Sequence, residues 1–116
     1  MNKVTIYHNP RCSKSRQTLT LLEEHGIVPE VIEYLQTPPD PRELGEILAL
    51  LEFAPRELMR KKEAPYTELN LADTSKSEAE LIDAMVNNPI LIERPIVVVD
   101  GKAAIGRPPE RVLAIL

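Results

Sequence analysis

The sequence predicts an α/β fold on a mixed sheet, and three observations carry that prediction. A β-branched run, Val4-Thr5-Ile6, is followed by a helical pattern and then by the alternating segment Glu30-Val31-Ile32-Glu33-Tyr34. A strand–helix–strand unit of this length implies a parallel pair with a right-handed crossover. The long middle, 38–88, carries its apolar residues at helical spacing. Near the end, Ile96-Val97-Val98-Val99, Asp100-Gly101 and Lys102-Ala103-Ala104-Ile105 spell a hairpin with a two-residue turn.

Each element has a local reason. Residues 3–7 read as a strand buried on both faces or nearly so. Residues 13–25 read as a helix with Leu19 and Leu22 on one side, ended by Gly26 at the position after the cap. Residues 30–34 form the second strand, and Thr37-Pro38-Pro39 breaks the chain. Asp40 then caps a helix with Pro41 at its first position and Glu43 reaching back. Leu44, Ile47, Leu48 and Leu51 make its apolar stripe. Pro55 opens a shorter helix through Arg60, with Leu58 and Met59 inward, and Lys61-Lys62-Glu63-Ala64-Pro65 reads as a loop. Ser77 and Glu80 form a second capping box; Leu81, Ile82 and Met85 continue that helix to Asn87-Asn88-Pro89. After the hairpin and Gly106, Arg107-Pro108-Pro109-Glu110 starts a last helix carrying Val112, Leu113 and Leu116. The order βαβ, helices, ββα is that of a thioredoxin-like fold with a helical insertion at about 38–88, in a single domain, residues 1–116.

Bulk properties narrow the function. At 116 residues the chain can bury a core without staples. With a net charge of −4 it is a poor non-specific nucleic-acid binder, and with 3% aromatic residues it offers little for base stacking. Neither nucleic acid nor membrane is an expected partner, since the apolar runs are far too short to span a bilayer. A single cysteine excludes an internal disulfide and fits a reducing compartment. With no basic-then-apolar leader at the N-terminus, the expected location is the cytoplasm.

The stretch Tyr7-His8-Asn9-Pro10-Arg11-Cys12-Ser13-Lys14-Ser15-Arg16 places that cysteine where a strand gives way to a helix. The first helical turn offers unpaired N–H groups and the positive end of the macrodipole, which favour a thiolate and attract an anion. Arg11, Lys14 and Arg16 add positive charge; His8 can assist as an imidazolium or through hydrogen bonds, or stand as a polar strand-end residue with a backbone partner, and spacing does not decide between them. A lone cysteine is commonly a small buried hydrophobe; cationic neighbours and a helix start argue for a reactive Cys12 instead. Arg94 before one strand and Arg107 after another can converge on it, and guanidinium groups hold tetrahedral oxyanions bidentately. Arg60 sits at another element boundary. Arg16, Arg42, Arg56 and Arg111 are taken as surface charges, and His25 as a partner of the first helix's C-terminal dipole.

Several chemistries lack their residues. One Cys and two His match no paired metal-ligand spacing, so no metal is expected. A tyrosine-phosphatase loop needs an arginine where Thr18 stands, and a dithiol loop needs a cysteine where Ser15 stands.

Tyr7-His8-Asn9-Pro10 through Cys12, Ser15-Arg16, Leu58-Met59-Arg60-Lys61 with Pro65-Tyr66, Asn88 to Val98, and Arg107-Pro108 closely resemble the glutaredoxin-linked arsenate reductase (ArsC) family, most of all its short, YfgD-like branch. The resemblance runs over nearly the whole chain. It implies a thioredoxin-like fold and reduction of arsenate to arsenite. It implies Cys12 as nucleophile, Arg60, Arg94 and Arg107 as oxyanion ligands, His8 as a residue that helps activate Cys12, and Ser15 as its neighbour in the loop. It implies a cis peptide bond before Pro95. No bound cofactor is implied; glutathione, with glutaredoxin, is the external reductant, and the single cysteine independently demands an outside thiol. Longer family members carry a C-terminal tail beyond the position of Leu116. Two other functions fit the same fold: a non-catalytic Spx-like regulator, which would normally carry Cys-x-x-Cys, and a monothiol glutathione-dependent oxidoreductase.

Overall fold

β-Branched and apolar residues put Val4–His8 into β1, the strand from which the candidate site hangs. The computed structural model describes residues 3–116. They divide into two units: the segment ending at 37 together with 94–116, and 38–93.

In the first unit, β1 is followed by α1 (Ser13–Glu24), β2 (Glu30–Glu33), β3 (Ile96–Val99) and β4 (Lys102–Ile105). The sheet order is β2-β1-β3-β4. β1 runs parallel to β2, with Ile6 opposite Val31, and antiparallel to β3, with Ile6 opposite Val97. β4 returns antiparallel beside β3, with Val99 opposite Lys102. Asp100 and Gly101 take φ of 50° and 74°, the left-handed pair a two-residue hairpin needs. Gly26, at φ 74°, ends α1 as expected. Val4, Ile6, Leu22, Val97, Val99 and Val112 form the core, with Leu19, Ala104 and Ile115 packed on it.

The closing segment differs from its expectation. Pro109–Ile115 is a 3₁₀ helix, with Arg111 N–H donating to the Pro108 carbonyl at 3.0 Å. Consecutive prolines lack amide donors, and a three-residue period puts 112 and 115 on one face. So Val112 is fully buried and Ile115 packs on the core, while Leu113 and Leu116 are 37% and 44% exposed.

In the second unit the capping boxes form as read. Glu43 N–H donates to Asp40 Oδ1 at 2.8 Å at the start of α2 (Pro41–Leu51), and Glu80 N–H donates to Ser77 Oγ at 3.1 Å at the start of α4 (Glu78–Asn87). Leu44, Ile47, Leu48, Leu81 and Met85 are buried. Two expectations fail. The helix expected from Pro55 through Arg60 is a 3₁₀ turn ending at Leu58, because Met59 turns extended and bridges Ile92. The expected 61–65 loop gives way to α3 (Ala64–Glu68), with Pro65 in its first turn where no amide donor is needed. Arg56 is no free surface charge: Nε donates to the Leu71 carbonyl at 3.0 Å and Nη2 to that of Asp73 at 2.6 Å. Among the described residues no helix is long and apolar enough to cross a membrane.

Candidate active site

Cys12 is the N-cap residue of α1, with extended backbone at φ −92° and ψ 123°. Its amide donates to the Asn9 carbonyl at 3.0 Å, and its own carbonyl accepts the Arg16 amide at 3.0 Å. The loop is braced from three sides. Asn9 Oδ1 accepts the Arg11 amide at 3.0 Å, Arg16 Nη1 donates to the Pro10 carbonyl at 2.9 Å, and Ser15 Oγ accepts the Asn9 amide at 3.0 Å. Cys12 as a residue is buried, with 9% of its surface exposed.

Two arginines flank the sulfur. Arg107 Nη2 lies 3.4 Å from Cys12 Sγ, while its Nε donates to the Arg94 carbonyl at 2.7 Å. Both arginine side chains are half-buried, so their charges act at reduced dielectric. Burial pushes the Cys12 thiol up. The Ser15 amide, the Arg94 guanidinium through a hydrogen bond and its charge, and the Lys14 amide together outweigh burial, and the thiol sits below its ordinary value. The first-turn amides of α1 are thus among the groups that favour the thiolate.

His8 ends β1 and is buried. Its Nδ1 meets Ser15 Oγ at 2.6 Å. Burial lowers the imidazole pKa; Glu33 opposes this, Arg16 adds to it, and the net shift is downward. The shift favours the neutral ring over the imidazolium. With its proton on Nε2, the Ser15 hydroxyl donates to Nδ1 while accepting from Asn9, which satisfies all three groups. His8 and Ser15 act as one hydrogen-bonded brace under the loop.

Pro95 is buried and follows a cis bond from Arg94; a second cis bond, Arg107–Pro108, was not anticipated. Arg60 belongs to the second unit, where Nε and Nη1 reach Glu63 at 3.2 Å and Glu93 at 3.0 Å. His25 Nδ1 lies 2.9 Å from the Leu21 carbonyl at the end of α1, as its position suggested. Among the described residues no three His, Cys, Asp or Glu side chains are grouped to hold a metal ion.

In the sequence Asn9 stood without an assigned role, and Arg16 only as a nearby positive charge. Asn9-Pro10 is a turn-forming dipeptide whose amide side chain was available to cap the following residues. Arg16 has no such signal; its role appears only once the loop curls back over the helix start.

The chain matches the model of the ArsC family over residues 7–115. It is 63% identical to the uncharacterised protein YfgD of Escherichia coli (strain K12), over 98% of this chain and 97% of that one. It is 50% identical to an arsenate reductase of Neisseria meningitidis over the full length of both. The solved arsenate reductase of Vibrio cholerae superposes with a TM-score of 0.96 at 55% identity, over 98% of each chain. The mixed four-stranded thioredoxin-like sheet is the fold of these arsenate reductase structures, and the chain belongs to the ArsC family.

Proposed function

We propose that this protein reduces arsenate to arsenite, with Cys12 as the nucleophile and Arg94 and Arg107 as oxyanion ligands. The observation that carries the reading is the Arg107 Nη2 to Cys12 Sγ distance of 3.4 Å at the N-terminus of α1. A thiolate and an arsenate anion repel each other; guanidinium groups beside the sulfur remove that barrier and orient the anion.

The chemistry then runs in two stages. The Cys12 thiolate attacks arsenic, an S–As bond forms, an As–O bond breaks, and the oxygen leaves as water after taking up protons. Arsenic is still pentavalent in this adduct. An external thiol adds next through its sulfur to arsenic, giving its proton to an arsenic-bound oxygen, and a second thiol attacks that sulfur, closing a disulfide and breaking the new S–As bond. The bonding pair stays on arsenic, which becomes trivalent; the bond from Cys12 to arsenic then breaks, arsenite leaves and the Cys12 thiolate is restored. Because the chain has one cysteine, both reducing thiols come from outside. Glutathione with glutaredoxin is the reductant we assign, in a reducing compartment such as the cytoplasm. His8 and Ser15 hold the loop, and Pro95 sets the backbone that carries Arg94. Arg60 is assigned to the oxyanion from the sequence resemblance.

The test is arsenite release with glutathione and glutaredoxin. Wild type is expected to turn over and Cys12→Ser to fall to the uncatalysed background. Equal rates for the two proteins overturn the reading.

A further inference from the structure

Gly106 links the end of β4 to Arg107, and its backbone φ is outside the left-handed region, so conformational freedom is not why glycine stands there. Room is the reason. A Cβ at 106 would overlap Thr18 Oγ1, and would lie 2.9 Å from Pro95 Cγ and 3.1 Å from Thr18 Cγ2. Thr18 cannot swing aside. It is fully buried on α1, and Oγ1 is pinned by donation to the Lys14 carbonyl at 2.8 Å.

The same turn carries both arginines. Gly106 N–H donates to the Pro95 carbonyl at 3.0 Å, and Arg107 Nε to the Arg94 carbonyl at 2.7 Å, so residues 94–95 and 106–107 lock together. Cys12 belongs to a different element, the start of α1. The bare Cα of Gly106 against Thr18 brings that locked turn onto α1, six residues beyond the cysteine. We propose that Gly106 and Thr18 are the positioning pair of this site: the Thr18 side chain against the bare Cα of Gly106, with Oγ1 also 3.5 Å from the Gly106 carbonyl, sets how closely Arg94 and Arg107 approach Cys12. This deepens the reductase reading and rests on it for its meaning in catalysis, but the geometry can be tested without turnover.

The readout is the alkylation rate of Cys12 by iodoacetamide across pH, with circular dichroism as the folding check. Gly106→Ala is expected to slow alkylation at pH 7 by about tenfold, with the profile moved to higher pH, as retreating arginines leave the thiol nearer its ordinary value. Thr18→Ala in the same chain makes room and is expected to restore the rate to within about twofold. A wild-type rate and profile in Gly106→Ala overturns the proposal, as does a double variant that is folded but no faster than the single one.

Should Gly106→Ala not fold, Thr18→Val and Thr18→Ser carry the test. Valine puts a methyl where Oγ1 faces Gly106 and is expected to slow alkylation about threefold, whereas serine keeps Oγ1 and is expected to match wild type. A Thr18→Val rate equal to wild type overturns the proposal. With arsenate, glutathione and glutaredoxin, folded Gly106→Ala is expected to raise KM for arsenate more than it lowers kcat. If wild type itself shows no turnover, the reductase reading fails while the alkylation series still decides the positioning pair.

Discussion

The guanidinium of Arg107 binds two partners at once: Nη2 lies 3.4 Å from Cys12 Sγ, and Nε donates to the Arg94 carbonyl at 2.7 Å. One end of the group is fixed by backbone, which leaves the other end aimed at the sulfur. Guanidinium pre-orientation of this kind limits the entropy lost when an anion arrives.

Removing either guanidinium is expected to make Cys12 less acidic. Arg94→Ala and Arg107→Ala should each move the pH profile of iodoacetamide alkylation upward, by about one unit, or tenfold in rate at a fixed pH below the midpoint. Arg111→Ala should leave the profile unchanged. The three profiles, measured side by side, check this.

His8 gives the fold a pH dependence of definite sign. Its folded-state pKa is lowered, chiefly by burial. On acidification the unfolded chain takes up the proton first, so the stability tied to the neutral ring is complete above the unfolded value near ~6.5 and is lost as pH falls through the folded value. The expected slope is at most about 1.4 kcal/mol per pH unit within that window. Urea unfolding at a series of pH values should show it in wild type and lack it in His8→Gln.

Arg60 is three-quarters buried and faces two carboxylates, Glu63 and Glu93. Arg60→Ala removes this guanidinium from both carboxylates. A loss of about 1–2 kcal/mol in urea unfolding is expected, more than an exposed pair would give. Arsenate turnover on the folded variant checks its proposed second role, where a raised KM is the expected result.

Leu22 sits on α1 and is fully buried in the core with Ile6, Val97 and Val112. Leu22→Ala is expected to cost about 2–5 kcal/mol, through lost burial and the cavity left behind. Chemical denaturation measures this directly.

Local chemistry carried much of this structure. Asp40-Pro41 with Glu43 and Ser77 with Glu80 cap their helices as read, because a capping box closes within four residues. Asp100-Gly101 makes its two-residue turn for the same reason: both residues tolerate positive φ. The errors also share a cause. The helix from Pro55 stops at Leu58 because Met59 pairs with Ile92, a partner 33 positions away. The last segment tightens to 3₁₀, which moves the buried face from Leu113 to Ile115.

Read alone, the residue order determined the opening βαβ unit and the later hairpin, that Cys12 opens a helix among cations, and that no second cysteine of this sequence is available to it. Those properties depend on neighbours within a few positions, or on a count. Tertiary structure decided which arginine lies against the sulfur, that burial beside Ser15 lowers the His8 pKa, and that Gly106 has no room for a side chain facing Thr18. Each of these depends on burial or on a through-space distance between residues that can be scores of positions apart, and only the folded chain sets those.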